Sequence, residues 1–93
     1  MKFQVVLEAL ADPTRRQILD LLKDKQLKVG DIAEHFDITG ASLSYHLNKL
    51  KAADLVIKKR DGQHIYYSIH TSVFEDAAAA VAELFELGGN KHD

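Results

Sequence analysis

The fold of this chain is decided by residues 31–69, which read DIAEHFDITGASLSYHLNKLKAADLVIKKRDGQHIYYSI. Apolar residues recur at helical spacing over Asp31–Phe36 and again over Ala41–Ala53. The residues between these two runs, Asp37–Gly40, have the composition of a tight turn. The spacing therefore predicts two short amphipathic helices joined by a turn, a helix-turn-helix within residues 29–53.

A β-hairpin is predicted directly after the second helix, with arms over Val56–Arg60 and His64–Ile69. Apolar and polar residues alternate along the second arm, which is typical of a half-buried strand. The tip carries Asp61-Gly62, and Gly readily adopts the positive φ that a type I′ turn requires. Residues 56–69 are therefore expected to form a small wing beside the helix-turn-helix.

Two helices are predicted before this central stretch. Apolar residues at helical spacing indicate a first short helix over residues 3–11. Asp12 is a suitable N-cap and Pro13 a suitable first residue for a second helix, which the pattern extends to about Lys25. Residues 25–28 are expected to be a connection without regular structure.

A last helix is predicted over residues 72–87. Ser72 and Glu75 match a capping box at its start, and Gly88-Gly89 is expected to end it. The expected fold class is therefore mostly α with a small β-hairpin, a winged helix-turn-helix in the order helix-helix-helix-helix-strand-strand-helix. The 93 residues are expected to form one domain over residues 1–93.

Composition limits the functions to consider. The sequence has no cysteine, which removes disulfides, thiolate metal sites and thiol redox chemistry. No apolar run approaches the ~20 residues needed to cross a bilayer, and the start resembles an amphipathic helix more than a signal peptide. The sequence shows none of the common catalytic patterns: it has no paired carboxylates, no nucleophile beside a base and no Gly-rich phosphate loop. We therefore expect a cytoplasmic protein that does not insert into membranes and is not an enzyme.

Charge is distributed unevenly along the chain. The net formal charge is −2, which by itself argues against a nucleic-acid binder. Residues 42–70, however, carry five Lys or Arg against two Asp, a net +3, whereas residues 71–93 carry one Lys against five Asp or Glu, a net −4. Such a dipole orients a protein on a polyanion even when its total charge is slightly negative.

The second helix of the helix-turn-helix has an acid-free outward face. Leu43, Leu47 and Leu50 form its inward stripe. Thr39 is placed to cap this helix, and no Asp or Glu occurs from there to Ala53. A solvent-facing helix usually mixes Glu with Lys, so proximity to phosphates explains the absence. With the basic hairpin, this face predicts a helix in the DNA major groove and a wing along the backbone.

Candidate DNA contacts follow from side-chain chemistry. Asn pairs bidentately with adenine, hydroxyls serve bases or phosphates, and Lys and Arg bind phosphates. The candidates on the helix are Ser42, Ser44, Tyr45, Asn48, Lys49 and Lys51. The candidates on the wing, which can reach a minor groove, are Lys58, Lys59, Arg60, Gln63 and His64. A solvated hairpin and a chance cluster of positive charge are the alternatives.

The chain resembles the ArsR-type winged helix-turn-helix repressors over about residues 3–87. The matching segments are LADPTRRQILDLL at 10–22, GDIAEHF at 30–36, SLSYHLNKL at 42–50, Leu55-Val56 and RDGQHIYYSI at 60–69. Within that family it is most similar to the cysteine-free autorepressors of sporulation-delay-type operons. The resemblance implies a sequence-specific repressor that binds double-stranded DNA at its own or a neighbouring operon.

The resemblance also implies a homodimer formed through the first and last helices. Independently, the last helix carries more apolar surface than so small a monomer can readily cover. The residues expected at the dimer interface are Phe3, Val6, Leu7, Leu10, Phe74, Ala78, Val81 and Phe85. Packing of both helices on the chain's own core is the alternative. Two-fold symmetry predicts an inverted-repeat operator with half-sites about one turn apart or more.

Three further residues match the family pattern. His46 stands where the family has a His before Leu, which implies a hydrogen bond to phosphate; a half-buried structural histidine is the alternative. Arg15 and Arg16 match the family's arginine pair after Asp-Pro-Thr. Two roles are open for this pair. One is contact with phosphate, and the other is helix packing with an ion pair to Asp12 or Asp20.

The chain departs from the family's metal sensors, which carry Cys pairs in the third helix or an Asp/His set on the last. We therefore expect no metal site and no cofactor; a cluster of His70, His92 and Asp93 at a dimer end is the alternative. A second hypothesis is a sensor that an organic ligand, a metal or a protein anti-repressor releases from DNA. For the subfamily, the resemblance implies a membrane-bound partner. A third hypothesis is a protein-interaction module that has lost DNA binding.

Overall fold

Five helices and a three-stranded antiparallel sheet make up residues 1–88, the part of the chain that the computed structural model describes. In chain order the elements are α1 (Phe3–Leu10), α2 (Pro13–Leu21), β1 (Leu27–Lys28), α3 (Val29–Ala33), α4 (Gly40–Ala52), β2 (Val56–Asp61), β3 (His64–Ile69) and α5 (Thr71–Gly88). The predicted fold class, mostly α with a small sheet, is confirmed.

The sheet contains one strand that the sequence did not predict. Leu27 lies opposite Tyr67 and Lys28 opposite Tyr66, so β1 pairs antiparallel with β3 and the strand order is β1-β3-β2. The prediction of a structureless connection at residues 25–28 was therefore wrong. Two residues are too few to show an alternating pattern, and the strand exists because β3 offers an edge for it to pair with.

Several predicted helix boundaries also differ from the structure. The second helix ends at Leu21 instead of about Lys25, which leaves the chain free to turn toward β1. The third helix covers Val29–Ala33 instead of residues 31–36, because hydrogen bonds of the i→i−3 type at His35 and Phe36 turn the following residues out of the helix. The last helix begins at Thr71, so Ser72 lies inside its first turn and the predicted capping box was wrong.

The core is centred on α4, which packs against α1, α2 and β2. The predicted inward stripe of α4 is confirmed, since Leu43, Leu47 and Leu50 are each at most 2% exposed. The neighbouring elements contribute fully buried aliphatic side chains to the same core, among them Val6, Ile18, Leu22, Ile32 and Leu55. Burying a side chain of this size contributes about 1.5–3 kcal/mol each relative to leaving it in water.

The exit of α4 is a Schellman motif with an unusual residue at its centre. The amide of Asp54 donates to the Lys51 carbonyl and that of Leu55 donates to the Leu50 carbonyl. Asp54 has a φ of 58°, the left-handed conformation that usually requires Gly. Leu50 and Leu55 are both fully buried, which supplies the hydrophobic contact that accompanies this motif. The helix therefore ends in a fixed place, but with local strain at Asp54.

Asp12 begins α2 as predicted. Its carboxylate accepts a hydrogen bond from the Arg15 amide at 3.1 Å, and Pro13 occupies the first helical position. Burial of the carboxyl group raises the pKa of Asp12. The hydrogen bonds from the amides of Arg15 and Thr14, the charge of Arg15, and the charge of His46 when its ring is protonated outweigh this effect, so the pKa lies below its ordinary value.

Replacing Asp54 with Gly should stabilise the fold. Gly relieves the left-handed strain but has more conformational freedom to lose on folding, so the expected net gain in unfolding free energy is about 0.5–1 kcal/mol. Urea unfolding at one fixed protein concentration measures it. Asp54→Ala is the control, because Ala keeps the strain and should show no gain. Equal stability of the Gly and Ala variants would refute the assignment of strain.

Replacing Asp12 with Ala should cost about 1 kcal/mol of unfolding free energy at pH 7, because α2 loses its cap. Asp12→Asn keeps a capping oxygen and removes only the charge. Since the folded pKa is depressed, the charge stabilises the fold above the unfolded value of about 3.9, and this contribution is lost as pH falls through the folded value. The difference between wild type and Asp12→Asn should therefore shrink below about pH 4. A pH-independent difference in urea unfolding would contradict this.

Candidate nucleic-acid interface

The position of α4 follows from its cap and its buried stripe. Thr39 is the N-cap, and its hydroxyl accepts a hydrogen bond from the Ser42 amide at 3.0 Å, as the sequence predicted. Because one side of α4 is held in the core, the opposite side faces solvent. The predicted contact residues that are exposed on α4 are Ser44, Tyr45, Asn48 and Lys51, which we call the readout face. Neither Asp nor Glu occurs in α4, so this face has no acidic group of its own.

Tyr45 is the most prominent apolar group on the readout face. Its side chain is 56% exposed although it is large and aromatic. The Lys49 ammonium lies 5.7 Å from the centre of the Tyr45 ring, within the range of a cation–π contact. The His46 ring also lies near Tyr45 in a T-shaped arrangement, at 5.5 Å between ring centres. An exposed aromatic ring with a cation beside it suits contact with a base and a neighbouring phosphate.

The wing continues the positive charge away from α4. Lys58, Lys59 and Arg60 are exposed on β2, as are Gln63 and His64 at the tip. Asp61 lies opposite His64, so the two-residue loop is Gly62-Gln63 rather than Asp61-Gly62. Of these two loop residues only Gly62 has a positive φ, 65°, which is the φ pattern of a type II′ turn and corrects the predicted type I′.

Lys28 is a candidate that the sequence analysis missed. Tyr66 lies opposite Lys28 of β1 on one side and opposite Lys59 of β2 on the other. Directly opposed residues share a face of the sheet, so the two cations flank one aromatic ring in a row across three strands. No signal in the sequence could place Lys28 there, because the strand that carries it was not predictable.

His46 and the arginine pair are placed by hydrogen bonds within the chain. The Arg15 guanidinium donates to the carbonyls of Ala9 at 2.7 Å and Glu8 at 2.9 Å, and its Nη1 lies 3.2 Å from Nδ1 of His46. Arg16 donates to the Leu10 carbonyl at 2.7 Å. Of the alternatives for the pair, helix packing is therefore the one observed for Arg15, and Asp20 pairs with Lys23 instead.

The His46 side chain is 13% exposed, with Nδ1 directed to Arg15 and 3.8 Å from the Asp12 carboxylate. This geometry supports the structural alternative for the Nδ1 side of the ring. A hydrogen bond from Nε2 to phosphate stays a prediction.

The residues expected at a dimer interface differ in their exposure: most line an apolar groove, two are half-buried elsewhere and one is fully buried. Leu10, Phe74, Ala78, Val81 and Phe85 line an apolar groove of about 400 Å³ between α1 and α5, together with Leu55, Ala77 and Ala82. Phe85 is 77% exposed at one end of the groove. Phe3 and Leu7 are half-buried, whereas Val6 is fully buried in the chain's own core and has no surface to offer a partner.

Neither a metal cluster nor a membrane-spanning helix occurs in the described part of the chain. Within residues 1–88, no group of three or more His, Cys, Asp or Glu side chains is arranged to hold a metal ion. Of the alternative cluster of His70, His92 and Asp93, the last two residues lie outside the described part of the chain. No helix over the same range is long and apolar enough to cross a bilayer.

Known proteins are similar to this chain in both sequence and fold. Residues 12–58 match the family model "Bacterial regulatory protein, arsR family". The transcriptional repressor SdpR of Bacillus subtilis is 48% identical over 85 residues, which cover 91% of this chain and 94% of SdpR.

Solved structures agree with this match. The crystal structure of an ArsR family transcriptional regulator superposes with a TM-score of 0.82 at 27% identity, covering 98% of this chain and 100% of that one. HlyU from Vibrio cholerae gives a TM-score of 0.71 at 30% identity, covering 89% and 87% of the two chains. The chain therefore belongs to the ArsR family of bacterial regulatory proteins, which confirms the predicted family and the prediction that it is not an enzyme.

Proposed function

We propose that this chain is a homodimeric, sequence-specific DNA-binding repressor in which α4 enters the major groove and the wing follows the backbone. The observation that carries the proposal is the readout face, which is exposed and free of acid, together with the exposed cations Lys58, Lys59 and Arg60 of the wing. A surface that had lost DNA binding would have no reason to exclude acid from a solvent-facing helix.

The readout face and the wing divide the work of recognition. Asn48 and Tyr45 are suited to base edges, since an amide pairs bidentately with adenine and an exposed ring packs on a thymine methyl group. The exposed cations of β2, with Lys28 beside Tyr66, are suited to phosphates. Affinity would then come from the wing and sequence preference from α4.

The apolar groove between α1 and α5 supports the homodimer. Phe85 at 77% exposure and Leu84 at 49% are large apolar side chains left in solvent by the single chain. The wall of the groove is formed almost wholly by apolar side chains of α1 and α5, whose sequences a second copy repeats. A symmetric pair would present two copies of α4 to an inverted repeat.

Repression is the regulatory outcome that the relatives favour. SdpR, whose sequence this chain matches over nearly its whole length, is a transcriptional repressor. We propose that a bound dimer blocks the promoter of its own or a neighbouring operon. The chain has no cysteine, so release would not use thiolate-bound metal, and we propose a protein or organic effector.

Tyr45→Ala and Lys59→Ala should affect DNA binding in different ways. Loss of the Tyr45 ring should lower affinity for a preferred duplex by about tenfold, with little effect on a scrambled duplex. Loss of the Lys59 charge should weaken both duplexes alike and reduce the salt slope by about one. Fluorescence anisotropy over a salt series, on DNA from upstream of the chain's own gene and on its scrambled version, measures both effects.

Lys23→Ala is the matched control for Lys59, because Lys23 is exposed and paired with Asp20 away from the readout face. It should leave the salt slope unchanged. Chelator should change none of these affinities. Equal losses on both duplexes for Tyr45→Ala would remove the base-reading role, and chelator-sensitive binding would favour a metal-dependent regulator.

Phe85→Asp should convert the protein from dimer to monomer, because a carboxylate would be buried in the apolar groove of the interface. Analytical ultracentrifugation at several protein concentrations measures the mass. Ile57→Asp is the control, since Ile57 is 43% exposed on β2 and outside the groove. A Phe85→Asp variant that remains dimeric would show that dimers form through another surface.

A further inference from the structure

Arg15 links the helix that lines the apolar groove to the helix that carries the readout face. It is 8% exposed and is the only buried charged residue among residues 1–88. Its guanidinium group bonds Glu8 and Ala9 of α1 and contacts His46 of α4. One buried side chain of α2 therefore holds two other helices.

The bonds to α1 have a clear electrostatic basis. The last carbonyls of a helix have no partner inside the helix and carry the negative end of its dipole. Arg15 donates to two of them with separate N–H groups of one rigid fork; the Ala9 carbonyl is one, and the Glu8 carbonyl, which also accepts from the Ala11 amide, is the other. A Lys ammonium cannot reproduce this geometry. The end of α1 is thereby fixed to α2.

The contact with α4 favours one tautomer of His46. Arg has five donors and no acceptor, so a hydrogen bond between its Nη1 and the imidazole requires Nδ1 to accept. Wherever this hydrogen bond is made, the proton of the His46 ring is on Nε2 and Nδ1 carries none. The Asp12 carboxylate, which accepts from the Arg15 amide, lies 3.8 Å from the same Nδ1 and favours the competing tautomer. The Arg15 contact is the shorter of the two, at 3.2 Å, and therefore favours the tautomer with the proton on Nε2.

We infer that Arg15 is a positioning residue that sets the orientation of α4 relative to α1, and so sets the preference of the dimer for specific over random DNA. The inference rests on the proposed function. Contacts to base edges carry the sequence information and depend on the placement of the helix in the groove, whereas contacts to phosphates carry no sequence information directly. A loosened α4 should therefore lose specific binding while it keeps non-specific binding.

Arg15→Lys tests the inference, with Arg16→Lys as matched control. Arg16 is the neighbouring arginine; its side chain donates to a carbonyl of α1 and makes no hydrogen bond or ion pair with α4 in the described structure. Both variants keep their charge. Circular dichroism and the mass of the particle establish that each variant folds and assembles before binding is compared.

The first measurement needs no DNA. In the wild type, ¹⁵N NMR of His46 should show one neutral tautomer with Nε2 protonated and Nδ1 unprotonated. Arg15→Lys should shift His46 toward a mixture of tautomers, and Arg16→Lys should not. A mixture already present in the wild type, or no change in Arg15→Lys, would overturn the inference.

The second measurement is the ratio of affinities for the duplex best bound from a random library and for its scrambled version. Arg15→Lys should lower this ratio about tenfold and change the affinity for the scrambled duplex less than about twofold, whereas Arg16→Lys should change neither. Equal loss on both duplexes would overturn the positioning role. A wild-type protein with the expected tautomer but no preference among duplexes would overturn both the proposed function and the specificity claim. The hydrogen bonds of Arg15 to α1 and His46 would still be supported by that result.

If Arg15→Lys fails to fold, a pair of variants at His46 keeps the test decisive. The side-chain oxygen of His46→Asn can accept from Arg15 in place of Nδ1, and His46→Leu cannot. The specificity ratio should be retained better in the Asn variant. Equal ratios in the two variants would overturn the inference.

Discussion

The burial of one stripe of α4 is the constraint on which the rest of the molecule depends. Leu43, Leu47 and Leu50 fill the space between α1, α2 and β2, so α4 cannot rotate about its axis without exposing them to water. A fixed inner stripe also fixes the outer face, because positions on a helix are rigidly related. The positions of Tyr45 and Asn48 on the outer face are therefore set by the core, since their side chains make no hydrogen bonds with other residues in the part of the chain that the structure describes.

Features with a strong local signal could be predicted from the sequence. The aliphatic stripe of α4, the Thr39 and Asp12 caps and the hairpin at residues 56–69 each rest on residues close together in the chain. The same holds for the acid-free face of α4, which needed only a helical period and a list of charges. Local patterns sufficed there because a single helix or hairpin already contains all the groups that form the feature.

Features that depend on distant partners could not be predicted. β1 exists only because Tyr66 and Tyr67 of β3 are available to pair with it, and two residues carry no period of their own. The roles of Arg15 and Arg16 stayed open because their partners, including His46, are set by how three helices pack. The hairpin turn differed by one residue because the register of β2 and β3, not the Asp-Gly pair alone, decides which residues form the loop.

The strand order gives the cations of the wing a second consequence. β3 is the central strand, so β2 presents one edge of the sheet to solvent with unpaired backbone groups. Such an edge is a template on which another chain can add a strand, and charged residues on it prevent this. Lys58, Lys59 and Arg60 therefore also protect the protein against aggregation, so substitutions that neutralise this strand would compromise the solubility of the free protein.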